Sequence, residues 1–162
     1  MGEALINTFR TVRHQSDQMA CGLSPEDQNL QSMPGASPMK WHRAHTTWFF
    51  ETFVLKKFSG QWGFEYQTIN DQFAYLFNSY YNGVGQQFPR TQRSLMSRPD
   101  CEEVAAYRTH IDQSMEDLLA RVPDSAIHEV AELVVLGLNH EHQHQELMAT
   151  DLKHAFSFNP IA

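Results

Sequence analysis

A chain of 162 residues with 41% hydrophobic and 19% charged residues is one globular domain by length, with enough apolar side chains for a real core. Its net charge is −7 and its largest basic cluster is only Arg90, Arg93 and Arg98, which argues against nucleic-acid or anionic-membrane partners. There is no run of ~18 apolar residues and no signal-peptide pattern, and Cys21 and Cys101 make neither a CxxC pair nor a disulfide scaffold, so the sequence reads as a cytoplasmic protein with reduced thiols.

The spacing of Leu5, Phe9, Val12 and Met19 predicts a first helix from Gly2 to about Cys21, ended at Gly22. Ser24-Pro25-Glu26-Asp27 is a cap followed by proline and predicts a short helix. Pro34 and Gly35 mark a loop, after which Ser37-Pro38 repeats the cap-plus-proline signal. That signal opens a second long helix, Met39 to about Phe58, which carries His42 and His45 among many aromatics. Gly60 to Thr68 is a break, and Asp71 to Tyr81 is a shorter helix ended by Asn82-Gly83. Residues Gly83 to Pro99 are irregular, and a connection that long is more often functional than idle. Asp100 and Glu103 form a capping-box pair before a third long helix, Cys101 to Val122. A fourth runs from about Ala126 to Phe156 and stops at Asn159-Pro160. No strand is predicted. Four long helices with a crossover between the second and third make an all-α four-helix bundle. Its core is expected to include Trp41, Trp48, Phe49, Phe53, Phe73 and Phe77.

Nine histidines is a high count, and the fourth helix concentrates three of them in Asn139-His140-Glu141-His142-Gln143-His144. Residues four apart share a helix face, so His140 and His144 stand side by side while His142 points away. The apolar stripe Val130, Leu133, Gly137 continues through His140 and His144 to Leu147. Two imidazoles on a buried face need satisfying partners, and one metal ion would satisfy both. A third ligand must come from another helix, with His42, His45, Glu51 and His110 as candidates that spacing leaves open. His14 and His128 fall where solvated residues are expected. His140 to His144 also spells the zinc-protease pattern H-E-x-x-H, with Glu141 as its base. No third ligand follows it, since Leu147 and Thr150 stand where a longer motif needs glycine and histidine, and no strand is available to align a peptide.

The segments Ser37-Pro38-Met39-Lys40-Trp41-His42-Arg43-Ala44-His45-Thr46-Thr47-Trp48-Phe49-Phe50-Glu51-Thr52, Tyr75 to Tyr81, the Arg90/Arg93 pair, Ser97-Arg98-Pro99 and His140 to Asp151 resemble the DinB-like N-terminal half of ergothioneine-biosynthesis sulfoxide synthases. Selenoneine synthases share much of this pattern. The resemblance spans nearly the whole chain in the same order. It implies one non-haem iron(II) held by His45, His140 and His144, with open positions for substrate and oxygen. It implies that Gln143 contacts a trimethylated histidine substrate and that Arg90 and Arg93 hold carboxylates of the thiol substrate, a role suited to guanidinium forks. No catalytic residue is assigned within this chain. Family enzymes carry a second, C-type-lectin-like domain that closes the site and supplies a tyrosine. This sequence stops at Ala162, so the expectation is a single DinB-like bundle over 1–162 that lacks that domain, with a lectin-like partner or a homodimer covering its cleft. A stand-alone zinc- or nickel-dependent thiol transferase is the second reading, and a non-catalytic interaction module the third. Imidazole serves zinc, iron, nickel and copper alike, so spacing leaves the metal open.

Overall fold

The computed structural model describes residues 2–79, 83 and 85–161. Helix α1 is Gly2–Ala20 and α2 is Pro25–Gln28. The third helix, α3, is Met39–Phe50, continued without a break by a π-helical stretch, Glu51–Leu55, and a last turn, Lys56–Phe58. Next come α4, Phe73–Phe77, and a 3₁₀ stretch, Arg90–Leu95. The last two long helices are α5, Cys101–Arg121, and α6, Ile127–Phe156. Among the described residues there is no strand. Helices α1 and α3 each pack against both α5 and α6, which makes the expected all-α bundle. None of these helices is long and apolar enough to cross a membrane.

Local chemistry explains most of the boundaries. Ser24 Oγ accepts from the Asp27 amide while Asp27 returns a bond to the Ser24 amide. Asp100 and Glu103 repeat this exchange at the start of α5, so two orphan donors are satisfied at each helix entry. Ser37 is different. No side chain caps α3, and the Ser37 hydroxyl accepts from Arg93 Nη1 at 2.8 Å instead. The helix expected over Asp71 to Tyr81 is also shorter, because Asn78 turns extended at ψ 144°. The expected end of that helix at Tyr80, Tyr81 and Asn82 lies outside the described residues.

The centre of the bundle is α3, whose twelve residues Met39–Phe50 are all buried. A helix buried on every side is normally apolar, yet this one carries Lys40, His42, Arg43, His45, Thr46 and Thr47. Buried polar groups must be bonded, and the partners come from every direction. Lys40 Nζ donates to Met96 O at 2.7 Å, Arg43 Nη2 reaches Asp17 at 3.0 Å, and Thr47 Oγ1 accepts from Arg13 at 2.8 Å. Trp41, Trp48, Phe49, Phe73 and Phe77 are buried as expected, whereas Phe53 is only half-buried at the margin of the core. Gly137 is where α6 comes closest to α3. A Cβ there would lie 2.5 Å from Phe50 Cε1 and 3.2 Å from Phe49 Cδ1.

The buried stripe of α6 runs Val130, Val134, Gly137, Leu138, Glu141, His144 and Met148. It departs from the expected stripe: Leu133 and His140 are only half-buried, and Val134 is buried in their place. Leu147 is exposed, and Glu141 is fully buried. Glu141 takes bonds from Arg13 Nη1 at 2.9 Å, Ser16 Oγ at 2.6 Å and Arg108 Nη2 at 3.3 Å. Arg13 also binds Asp112, and Arg108 also binds Asp17, so one ionic cluster ties α1, α3, α5 and α6 together.

Candidate metal centre

The two long helices that meet at Gly137 bring three imidazoles together. His45 comes from α3, and His140 and His144 come from successive turns of α6. One ring nitrogen from each lies within 4.8 Å of the other two. The Nε2 atoms of His45 and His140 are 3.1 Å apart, and the ring of His144 sits 4.6 Å from that of His45 and 4.5 Å from that of His140. Aromatic packing fixes the rings. Trp41 stacks on His45 at 4.5 Å, and Phe49 lies 4.7 Å from His140.

The hydrogen bonds behind the rings decide what the cluster presents. His45 Nδ1 is 2.5 Å from Phe77 O, which can only accept, so the proton sits on Nδ1 and Nε2 keeps its lone pair. Burial holds all three histidines neutral. It pushes His140 down to about 4, and it takes His45 and His144 well below the ordinary histidine range, with the neighbouring rings adding to the effect. His140 Nδ1 is buried without a hydrogen-bond partner. These features fit a metal ion. Two nitrogens ~2.1 Å from one ion and at right angles about it stand ~3.0 Å apart, close to the separation seen between His45 and His140. Three neutral imidazoles and no protein carboxylate form the donor set.

The other histidine and glutamate candidates lie elsewhere. His42, equal to His45 by spacing, stands behind His144, with Nδ1 2.8 Å from His144 Nδ1 and Nε2 3.0 Å from Asp151. Glu51 sits in the π-helical stretch and accepts from the hydroxyls of Tyr66 and Tyr107. His110 lies against Tyr66. His14 and His128 are exposed. Glu141, the base that the H-E-x-x-H pattern would require, points away from the cluster into the ionic cluster, where the arginines hold its carboxyl below the usual range against the opposing effect of burial.

A cavity of about 280 Å³ opens over His140 and His144, and Arg90, Arg93 and Gln143 line it. Gln143 and Arg90 are exposed, and Arg93 is buried. The Arg93 guanidinium carbon lies 3.3 Å over the Trp41 ring, and Arg90 Nη2 donates to Gly35 O at 2.5 Å. Trp41 thus touches both a cluster histidine and a cavity arginine, which aromatic spacing alone could not reveal. Asp151 also went unassigned from spacing, and Ser37 was expected only as a helix cap. The signal for Asp151 was its position two turns after His144 on the same face.

A search of curated proteins finds no match to this chain. A family model for the DinB superfamily matches residues 8–148, a span that contains most of each of the four long helices and all three cluster histidines, and the chain belongs to that superfamily.

Proposed function

We propose that this protein is the metal-binding half of a non-haem iron sulfoxide synthase, joining a trimethylated histidine to a cysteine-containing thiol with O₂. The observation that carries the reading is the meeting of His45, His140 and His144 beside a cavity lined by Arg90, Arg93 and Gln143. The balanced reaction takes R–SH, the imidazole C–H between the ring nitrogens, and O₂. A carbon–sulfur bond forms, one oxygen atom goes to sulfur, and the other leaves as water with the two hydrogens. A divalent metal held by the three histidines, iron(II) by resemblance, would supply oxygen binding and electron exchange.

The chain's own groups bind and orient. Arg90 and Arg93 offer charged forks to substrate carboxylates at the cavity wall, and Ser37 and Trp41 hold Arg93 in place. Gln143 offers a hydrogen bond at the rim, where the histidine-derived substrate would enter. Phe49, Trp41 and Trp48 exclude water from the side of the histidines that faces the core. Leu147 lines the cavity while remaining exposed, and Leu136, one turn before His140, is 55% exposed. We take a C-type-lectin-like domain as the element that covers this apolar rim.

The test is anaerobic loading with iron(II), followed by trimethylhistidine, a cysteine-containing thiol and O₂, with and without a supplied lectin-like domain. Sulfoxide detected by mass only with the second domain supports the reading. Metal binding without product, together with a thiolate-to-metal band when a thiol alone is added to cobalt-loaded protein, favours the thiol transferase. Self-association that buries Leu136 and Leu147 would replace the lectin-like partner by a second copy.

A further inference from the structure

We propose that His42 is a positioning residue, the middle of a hydrogen-bonded chain Asp151–His42–His144 that turns the His144 Nε2 lone pair towards His45 and His140. The proposal rests on the metal-centre reading above and assigns a role to a histidine outside the cluster. His42 is buried, with Nε2 3.0 Å from Asp151 Oδ2 and Nδ1 2.8 Å from His144 Nδ1.

The protons follow from the donor and acceptor inventory. A carboxylate only accepts, so His42 Nε2 carries the proton of that bond. A neutral His42 then has only a lone pair on Nδ1, and the facing His144 Nδ1 must be the donor. The proton of His144 is thereby kept on Nδ1, and Nε2 is left as a ligand atom on the far side of the ring. The reverse arrangement, a doubly protonated His42, would put the His144 proton on Nε2, the nitrogen left for a metal, and would exclude one.

The rest of the site shows the same device once more and lacks it once. His45 has its Nδ1 proton fixed by Phe77 O, whereas His140 Nδ1 has no partner. Asp151 is itself held, because the Ser37 amide donates to the same Oδ2 at 2.9 Å. His144 and Asp151 lie on one face of α6, two turns apart, and His42 bridges them from α3. A metal-ligating histidine backed in this way is restrained in rotation and made more basic, and loss of such a partner typically costs 10–100-fold in metal affinity.

Two measurements on the full chain test the chain of bonds. Long-range ¹H–¹⁵N spectra of metal-free protein read the tautomers directly and need no variant. We expect the proton on Nδ1 in His144 and on Nε2 in His42. Cobalt(II) titration against a competing chelator then compares wild type, His42→Leu and His42→Asn, with thermal unfolding of each metal-free protein as the control for folding. Asn keeps an acceptor close to the position of the lost Nδ1. Its affinity should stay within a few-fold of wild type, while Leu should lose about 10–100-fold. A His144 proton on Nε2, or equal affinities for the two variants, overturns the proposal. Wild-type protein that takes up no cobalt defeats the metal-centre reading, and the tautomers, read without metal, still decide the hydrogen-bonded chain.

Discussion

His45 Nε2 and His140 Nε2 face each other across 3.1 Å, although they come from different helices and 95 residues separate them. Two neutral imidazoles hold that separation comfortably only if something positive lies between them or one donates to the other. We expect one equivalent of divalent metal in protein purified anaerobically, lost on replacing His45, His140 or His144 by alanine. Elemental analysis of the purified variants checks this. Undiminished metal in any of the three would remove that residue from the centre.

Gly137 sets the approach of α6 to α3. In Gly137→Ala the new methyl group meets the Phe50 ring at 2.5 Å and Phe49 at 3.2 Å, and both rings are buried in the core, so each must shift against packed neighbours. Overpacking of this kind costs ~1–3 kcal/mol, which outweighs the ~1 kcal/mol that alanine gains in helix propensity. Urea unfolding should show a net loss of stability, together with weaker metal binding, because His140 lies one turn further along. A variant more stable than wild type would show that the helices part without strain.

Glu141 is structural. Glu141→Ala leaves Arg13 and Arg108 buried beside the lost carboxylate, a change expected to cost ~3–5 kcal/mol. The fraction that remains folded should still bind one equivalent of metal. Unfolding curves and metal content together check this, and a stable Glu141→Ala protein with impaired chemistry would instead restore the base role of the H-E-x-x-H pattern.

Acid should loosen the metal-free protein through its histidines. His140 titrates at about 4 when folded, against an ordinary 6.5, so between these values the unfolded chain binds the proton and the folded chain does not. Its stabilising contribution is complete above 6.5 and declines as pH falls from 6.5 towards 4. The loss is of the order of 3 kcal/mol from His140 alone, with His45 and His144 acting in the same direction. Glu141, whose folded value is depressed, loses its contribution only below the ordinary carboxylate range. The urea midpoint of metal-free protein should therefore fall from pH 7 to pH 5, and excess metal at pH 7 should raise it. A flat midpoint across that range would mean that the histidines are solvated.

The helices were legible in the sequence because their signals are local. Caps such as Asp100 with Glu103 exchange bonds within one turn, and the apolar period of α5 repeats inside its own twenty-one residues. The pairing of His140 with His144 was legible for the same reason. What spacing alone left open was the choice between His42 and His45, which lie at equivalent positions on α3. That choice depends on Phe77 O and Asp151, residues brought in from α4 and α6. The burial of Glu141 was hidden too, because a glutamate beside a histidine motif looks solvated until Arg13 and Arg108 arrive from distant turns. Ser37 was misread for a related reason. It sits where a cap belongs, but Arg93 claims its hydroxyl.

The separation of Glu141 from His140, adjacent in sequence, has a consequence for charge balance. The two carboxylates of α6 held near the centre are committed elsewhere, Glu141 to its arginines and Asp151 to His42 and Ser37. A dication seated among three uncharged donors would keep its full formal charge of about two units. Electroneutrality would then have to come from what enters the cavity. The centre would rank its ligands by valence before it ranks them by shape, favouring anionic groups such as thiolates and carboxylates over neutral groups of the same size.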